Sequence, residues 1–302
     1  MCLVSGVAFG AMAVFGKLAY GEGVTVGTLL AVRFVFAAIL FWGLVLAAGG
    51  TREVRALNRR DLRTGLALGA CGYAVQAGCF FAALDRIDAS LLSLLLYTYP
   101  AMVAVAAVAL GRERLDGRRV LALALALGGL VLVLAGAGTG ALDPIGAGLG
   151  IIAALVYTTY ILVSQGVVAR VGPQLLSALV CTGAAVSLTA GSALLGELRP
   201  GDVTTAGWGW LLALSAVSTV TAISLFFAGL RRVGPTTASI LSTVEPVVTV
   251  LSAFAVFGET LDGVQLAGGA LVIAAVLVLN VRLRSRISRA AIADAAVERA
   301  GA

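Results

Sequence analysis

Apolar residues in this chain come in blocks of about twenty, not in the alternation of a strand or the stripe of a surface helix. Ten blocks stand near residues 1–20, 26–48, 63–84, 88–110, 119–138, 146–168, 173–196, 206–229, 236–257 and 264–283. A helix rises about 1.5 Å per residue, so roughly 20 apolar residues cross a hydrocarbon core of about 30 Å. The separators are short and carry breakers or charge, as in Gly21-Glu22-Gly23, Asp143-Pro144, Gly172-Pro173, Arg199-Pro200-Gly201-Asp202 and Gly234-Pro235. Such loops suit antiparallel neighbours. The pattern predicts an all-α integral membrane protein of about ten transmembrane helices.

Composition agrees. Apolar residues make up 60% of the chain and charged residues 12%, against roughly 25% charged in an ordinary globular domain. With 302 residues and a mean hydropathy of +1.05, the chain is too short to hide ten such blocks in a water-soluble core. Met1 runs straight into Cys2-Leu3-Val4 without a basic leader, so residues 1–20 read as a retained helix rather than a cleaved signal. Cys71, Cys79 and Cys181 lie inside apolar blocks as small hydrophobes, and no disulfide framework is implied.

The net charge of +6 could suggest nucleic acid, but the basic residues sit in loops beside the blocks. When the loops are placed alternately on two sides, one side holds five arginines between 52 and 63 and four between 112 and 119. It also holds Arg170, Arg231, Arg232 and five more from Arg282 onward. The other side holds only Arg86 and Arg199, with Lys17 and Arg33 left inside blocks. Basic loops stay cytoplasmic, so a multi-pass protein of the cell (inner) membrane with both termini inside is expected.

A shift of 146 residues lays Leu84–Gly117 over Leu230–Gly263 with 11 of 34 positions identical. The informative matches are Arg86/Arg232, Ser93/Ser239, Pro100/Pro246, Glu113/Glu259, Asp116/Asp262 and Gly117/Gly263, because polar residues, proline and glycine are scarce or costly in spans. Each half then holds five helices, an odd number, so the halves insert in opposite orientations. The expected organisation is a first repeat over 1–141, a second over 146–283, and a basic cytoplasmic tail over 284–302. Two inverted five-helix repeats are a recurring plan of secondary transporters.

Tyr97-Thr98-Tyr99-Pro100 with Gly111-Arg112-Glu113-Arg114-Leu115, and Glu245-Pro246-Val247 with Phe257-Gly258-Glu259-Thr260-Leu261, resemble the paired signatures of the EamA family of the drug/metabolite transporter superfamily. The resemblance covers essentially the whole chain. It implies ten helices in two inverted repeats with a pathway between them, and export of amino acids, other metabolites or toxic compounds.

Candidate pathway residues follow from what is costly in hydrocarbon. Pro100 and Pro246 each remove a backbone hydrogen bond and free a carbonyl one turn earlier, at Leu96 and Ser242. Such backbone is tolerated at membrane depth only where protein or a wet cavity satisfies it. Ser242, Glu245, Thr249 and Ser252 form one polar stripe at i, i+3, i+7 and i+10, echoed by Ser90, Ser93, Tyr97 and Pro100. Hydroxyls of this kind most often glue helices together. Glu245 is harder to dismiss, since a carboxylate at mid-depth costs roughly 2.5–3.5 kcal/mol unless paired, hydrated or protonated. Three roles are open to it: proton acceptor, contact for a substrate ammonium, or partner of Arg33. Arg33 in turn could bind a substrate carboxylate or neutralise Glu245. Lys17 is expected to reach the interface beside Glu22. Tyr73, Gln76, Tyr99, Tyr157 and Tyr160 complete the expected lining.

With no histidine, a Ser–His hydrolase or a His-ligated metal site is impossible in this chain, and no phosphate loop appears. The reading is therefore a transporter rather than an enzyme, without cofactor or metal. Its expected partners are a small-molecule substrate and the lipid bilayer, and not nucleic acid.

Overall fold

A computed structural model of the chain describes residues 1–110, 117–136, 143–242 and 244–278. Regular structure among the described residues is helical throughout. Six helices are long and apolar enough to cross a membrane: α1 (Cys2–Gly21), α2 (Val26–Ala47), α3 (Arg59–Leu84), α6 (Pro144–Val171), α7 (Pro173–Leu194) and α8, whose crossing part is Thr205–Arg232. Among them stand four others with shorter apolar stretches. These are α4, in two pieces Ala89–Leu96 and Tyr99–Ala109, then α5 (Gly117–Gly136), α9 (Val244–Phe257) and α10 (Gly263–Val278).

Boundaries follow local chemistry. The Thr25 hydroxyl accepts the Thr28 amide and caps α2. Asp143 accepts the amides of Ile145 and Gly146 and caps α6, with Pro144 placed where a missing N–H costs nothing. The Gly146 amide outweighs the partial burial of Asp143 and, with the Arg86 guanidinium, holds its carboxyl below the usual carboxylate range. Gly172, at φ +87°, turns α6 into α7 in a conformation that L side chains rarely adopt.

Some boundaries differ from the sequence pattern. Thr51–Ala56 forms a short helix in a stretch that reads as a loop. Gly234-Pro235, expected to separate two spans, lies within Ala222–Leu241, the last piece of α8. A proline deletes one hydrogen bond, and here it does not end the helix. The break comes instead at Ser242, and α9 begins at Val244 rather than near 236. The signature segment 111–115 and the tail 284–302 lie outside the described residues.

Two kinds of irregularity recur. Helix α3 contains a π-helical segment, Leu68–Tyr73, and α8 contains another, Ala216–Thr221. Helix α4 is broken between Leu96 and Tyr99, and the α8–α9 path between Leu241 and Val244. Subtracting 146 from 241 and 244 gives 95 and 98, each one residue short of the first break. π segments and broken ladders in spans concentrate at functional sites.

The packing has a regular form. Helix α3 packs on α6 and α7, and α8 packs on α1 and α2. Helix α4 packs on α6, and α9 packs on α1. Helices α2 and α7 pair along their lengths, as do parts of α4 and α9. Glycines allow the closest approaches. A Cβ at Gly129 of α5 would lie 2.6 Å from the Gly268 carbonyl oxygen of α10, and one at Gly268 2.7 Å from that of Gly129. Outward-facing Ile39, Val131, Val186 and Leu251 are each at least 60% exposed, an apolar surface suited to lipid.

The α3–α7 seam gives a test. A Cβ at Gly183 would run into the Leu66 carbonyl oxygen, whereas nothing lies within 4 Å of one at Gly191 on the same helix. Gly183→Ala should lower thermal stability by about 1–3 kcal/mol, while Gly191→Ala should raise it by up to about 1 kcal/mol through helix propensity. Unfolding in detergent, followed for both variants, reads the opposite signs directly.

Candidate functional site

Arg33 lies on α2, eight residues past its cap, with its side chain fully enclosed. Its Nε donates to the Thr219 hydroxyl at 2.7 Å, and that hydroxyl donates to the Leu214 carbonyl at 3.0 Å. Thr219 belongs to the π segment of α8, which presents its hydroxyl to α2. The guanidinium lies over the rings of Phe34 and Phe81, at 4.9 and 5.2 Å from their centroids. Delocalised, weakly hydrated charge suits this aromatic setting better than an ammonium would. Arg33 Nη2 is buried and has no hydrogen-bond partner.

Glu245 lies in the first turn of α9, just past the break. Its Oε2 accepts from the Tyr97 hydroxyl at 3.1 Å. The same hydroxyl donates to the Ser242 carbonyl, which also accepts the Glu245 amide at 2.9 Å. This is the carbonyl that Pro246 leaves free. Tyr97 is itself the residue at which α4 stops, so the two breaks meet through one phenol. Among the described residues no ion pair joins Arg33 to Glu245.

Both charges nevertheless line one cavity, together with Phe9, Met12, Tyr73, Gln76, Ala77, Phe80, Phe81, Leu96 and Tyr157. Its volume is about 20 Å³, space for about one water molecule. The site is thus narrow around its polar groups. Behind it runs a continuous chain of rings. Phe34 meets Tyr73 edge-on at 5.2 Å, Tyr73 meets Tyr160 at 5.4 Å, and Tyr160 stacks on Tyr157 at 6.1 Å. Tyr157 meets Tyr99 at 4.8 Å, and Tyr99 meets Tyr97 at 5.5 Å. Five of the six tyrosines of the chain therefore link the Arg33 pole to the Glu245 pole.

Of the residues picked out in the sequence, Arg33, Tyr73, Gln76, Tyr157 and Glu245 come together on the cavity wall. Tyr97, Tyr99 and Ser242 stand one layer behind it. Thr249 is used elsewhere, its hydroxyl lying 3.1 Å from the Gly10 carbonyl of α1 and from that of Glu245. Pro100 and Pro246 do not line the cavity; they mark the breaks. Sequence reasoning missed Phe9, Met12, Phe80, Phe81 and Thr219. A signal existed for Phe80, which follows Gln76 by one helical turn, and for Thr219, in the hydroxyl-rich run Ser215, Ser218, Thr219, Thr221.

The EamA-like transporter family matches residues 1–135 and again residues 144–281. A protein of Archaeoglobus fulgidus named as an uncharacterized transporter is 31% identical over 278 residues, covering 91% of this chain and 93% of the relative. A protein of Bacillus subtilis named as the uncharacterized transporter YcbK is 26% identical over 281 residues, covering 88% and 87%. A protein crystal structure with 20% identity superposes with a TM-score of 0.67, covering 94% of this chain and 96% of that one, and so shares the fold.

Two tyrosine variants should move stability in different directions. Tyr97→Phe takes a donor from the Ser242 carbonyl and the Glu245 carboxylate at once, and should cost about 1–3 kcal/mol. The Tyr160 hydroxyl is buried without a partner, so Tyr160→Phe should leave stability unchanged or raise it. Melting curves in the same detergent check both.

Proposed function

The chain belongs to the EamA-like transporter family, and on that premise we propose that it is a secondary transporter that exports a small metabolite such as an amino acid. In this reading ten spans form two inverted five-helix halves in the inner membrane, with both termini in the cytoplasm. The halves alternate in giving access to the cavity between them. One observation carries the proposal. Arg33, fully buried, and Glu245, half-buried and of opposite charge, face one cavity and are each held by other partners instead of neutralising each other. A permanent pair would only lock two helices. Two separate poles suit a zwitterion, with a carboxylate against the free Nη2 of Arg33 and an ammonium or a proton at Glu245.

The packing supports the inverted arrangement. Adding five to the helix numbers, and wrapping around after α10, turns the α3–α6 contact into α8–α1. It likewise turns α3–α7 into α8–α2 and α4–α6 into α9–α1, and maps α2–α7 and α4–α9 onto themselves. The helix starts agree. Thr204 caps one piece of α8 and donates its hydroxyl to Glu22, next to the end of α1. Asn58, 146 residues earlier, caps α3 beside Asp61, which pairs with Arg170 at the end of α6. The small cavity fits an occluded state, from which either half must move to admit substrate.

Counterflow in proteoliposomes tests the class, because only a carrier exchanges labelled for unlabelled substrate. A panel of labelled amino acids should include at least one that exchanges, and Arg33→Gln should reduce that exchange tenfold or more. Glu245→Gln separates two roles. Lost pH-driven accumulation with exchange intact marks a proton site, whereas joint loss of binding and exchange marks a substrate contact. Failure of every zwitterion to exchange would remove the substrate assignment. Orientation is tested independently: cysteines placed at Asp143 and Asp202 should label from outside intact cells, and one at Arg59 should not.

A further inference from the structure

Lys17, expected to lie beside Glu22, pairs elsewhere. Its Nζ sits 2.7 Å from Glu259 Oε1 and 3.6 Å from Asp88 Oδ1, while Glu22 takes the Thr204 hydroxyl instead. Glu259, in the turn between α9 and α10, is 8% exposed at its side chain. It also accepts the amides of Ala89 and Ser90, at 3.3 and 3.1 Å, and the Ser90 hydroxyl at 3.0 Å. Those are the free donors at the start of α4, whose own preceding residue, Asp88, makes no side-chain cap. A carboxylate from the far end of the chain thus caps α4 and pairs with α1 in one contact. Burial pushes the Glu259 carboxyl up, but Lys17 and the Ser90 amide outweigh it and hold the group below its usual range.

The contact stands at a mouth. A cavity of about 660 Å³ is lined by Lys17, Tyr20, Asp85, Asp88, Phe257 and Asp262, among others. Three helices connect it with the narrow Arg33–Glu245 cavity. On α1, Met12 lines the inner cavity and Lys17 the outer; on α3, Phe81 and Leu84; on α4, Leu96 and Leu91. Steps of three to five residues span only about 4.5–7.5 Å along a helix. Phe81 and Leu84 close that gap against Gly16, where a Cβ would lie 2.8 and 2.9 Å from them.

We propose that the Lys17–Glu259 contact on the start of α4 is the latch of a gate between the two cavities. Intact, it holds the α9–α10 turn against α1 and α4 and keeps the Gly16–Phe81–Leu84 layer shut. Released, it joins the mouth to the Arg33–Glu245 cavity. The inference rests on the transport reading of the preceding subsection, and it adds a second group of functional residues outside the cavity. The remaining charges at the mouth are Asp85, Arg86, Asp88 and Asp262, of which Arg86 is engaged with Asp143 at 3.1 Å.

The test uses the full chain with Cys2, Cys71, Cys79 and Cys181 replaced and one cysteine introduced at Gln76, on the inner cavity wall. A membrane-impermeant thiol reagent is applied from the side of the mouth. Glu259→Ala and Lys17→Met should each speed labelling of that cysteine at least tenfold. A control cysteine at Leu179, buried between α3 and α7, should stay unlabelled in both. Unchanged labelling at Gln76, with or without a lower melting temperature, makes Glu259 a helix cap only and overturns the proposal. Equal labelling at both positions, or loss of folded protein in both variants, marks general loosening and overturns it as well. Labelling needs no substrate, so a failed counterflow with accelerated labelling would count against the transport reading and not against the latch.

Discussion

Pro246 has no N–H to give the Ser242 carbonyl, which takes the Glu245 amide in its place. The Tyr97 hydroxyl donates to the same carbonyl from another helix, and much else follows from its doing so. Tyr97 stands where α4 is itself interrupted, at the end of its first piece. The same hydroxyl lies within reach of the Glu245 carboxylate, so the half-buried acid and the Ser242 carbonyl share one partner. The α4–α9 contact is therefore fixed by polar groups set between helices, with little solvent to fall back on.

Arg33 answers the same constraint at the other pole. Its Nε is held by a π segment, and its faces are covered by two aromatic rings. An extra residue per turn in α8 brings Thr219 to the interface, with its hydroxyl still satisfied by Leu214. What is left over, Nη2, points to an anion as the natural complement. Had Glu245 filled that role, the two charges would have cancelled, and a buried pair of that kind resists opening because either partner alone is costly. Separate tethers leave each charge stabilised and available.

The sequence made the expensive residues legible and the inexpensive ones not. Glu245, Arg33 and the carbonyl released by Pro246 stand out in any apolar block because hydrocarbon penalises each of them whatever the neighbours are. Phe9, Met12 and Phe81 carry no such mark, since lipid, a helix partner and a cavity all accept an apolar side chain. Lys17 shows the limit from another direction. Glu22 is the nearest acid in sequence, five residues on, but the partner is 242 residues away, and only the fold brings Glu259 to Lys17. Gly234-Pro235 misled for a related reason: breaker residues signal a lost hydrogen bond, and the surroundings decide whether the helix ends there.

The distribution of polar and apolar contacts also says which parts of the bundle can move against one another. The α5–α10 seam is made of glycine backbone and small side chains, and α3–α7 has the same character at Gly65, Gly69 and Gly183. Between lipid-embedded helices such contacts exchange dispersion with protein for dispersion with acyl chains, so sliding costs little. Parting Tyr97 from Ser242 would instead take a donor from the carbonyl and from the Glu245 carboxylate at once, leaving the carbonyl the Glu245 amide alone. In the proposed transport cycle, rocking of the halves would be easiest about the α4–α9 junction, with the glycine seams as sliding surfaces. The Lys17–Glu259 contact lies between these extremes. It is polar enough to hold, yet it borders a mouth of about 660 Å³ that can hydrate its groups as they separate. A contact that resists opening when dry and tolerates it when wet belongs at the edge of such a motion, and a pivot belongs where no water can substitute.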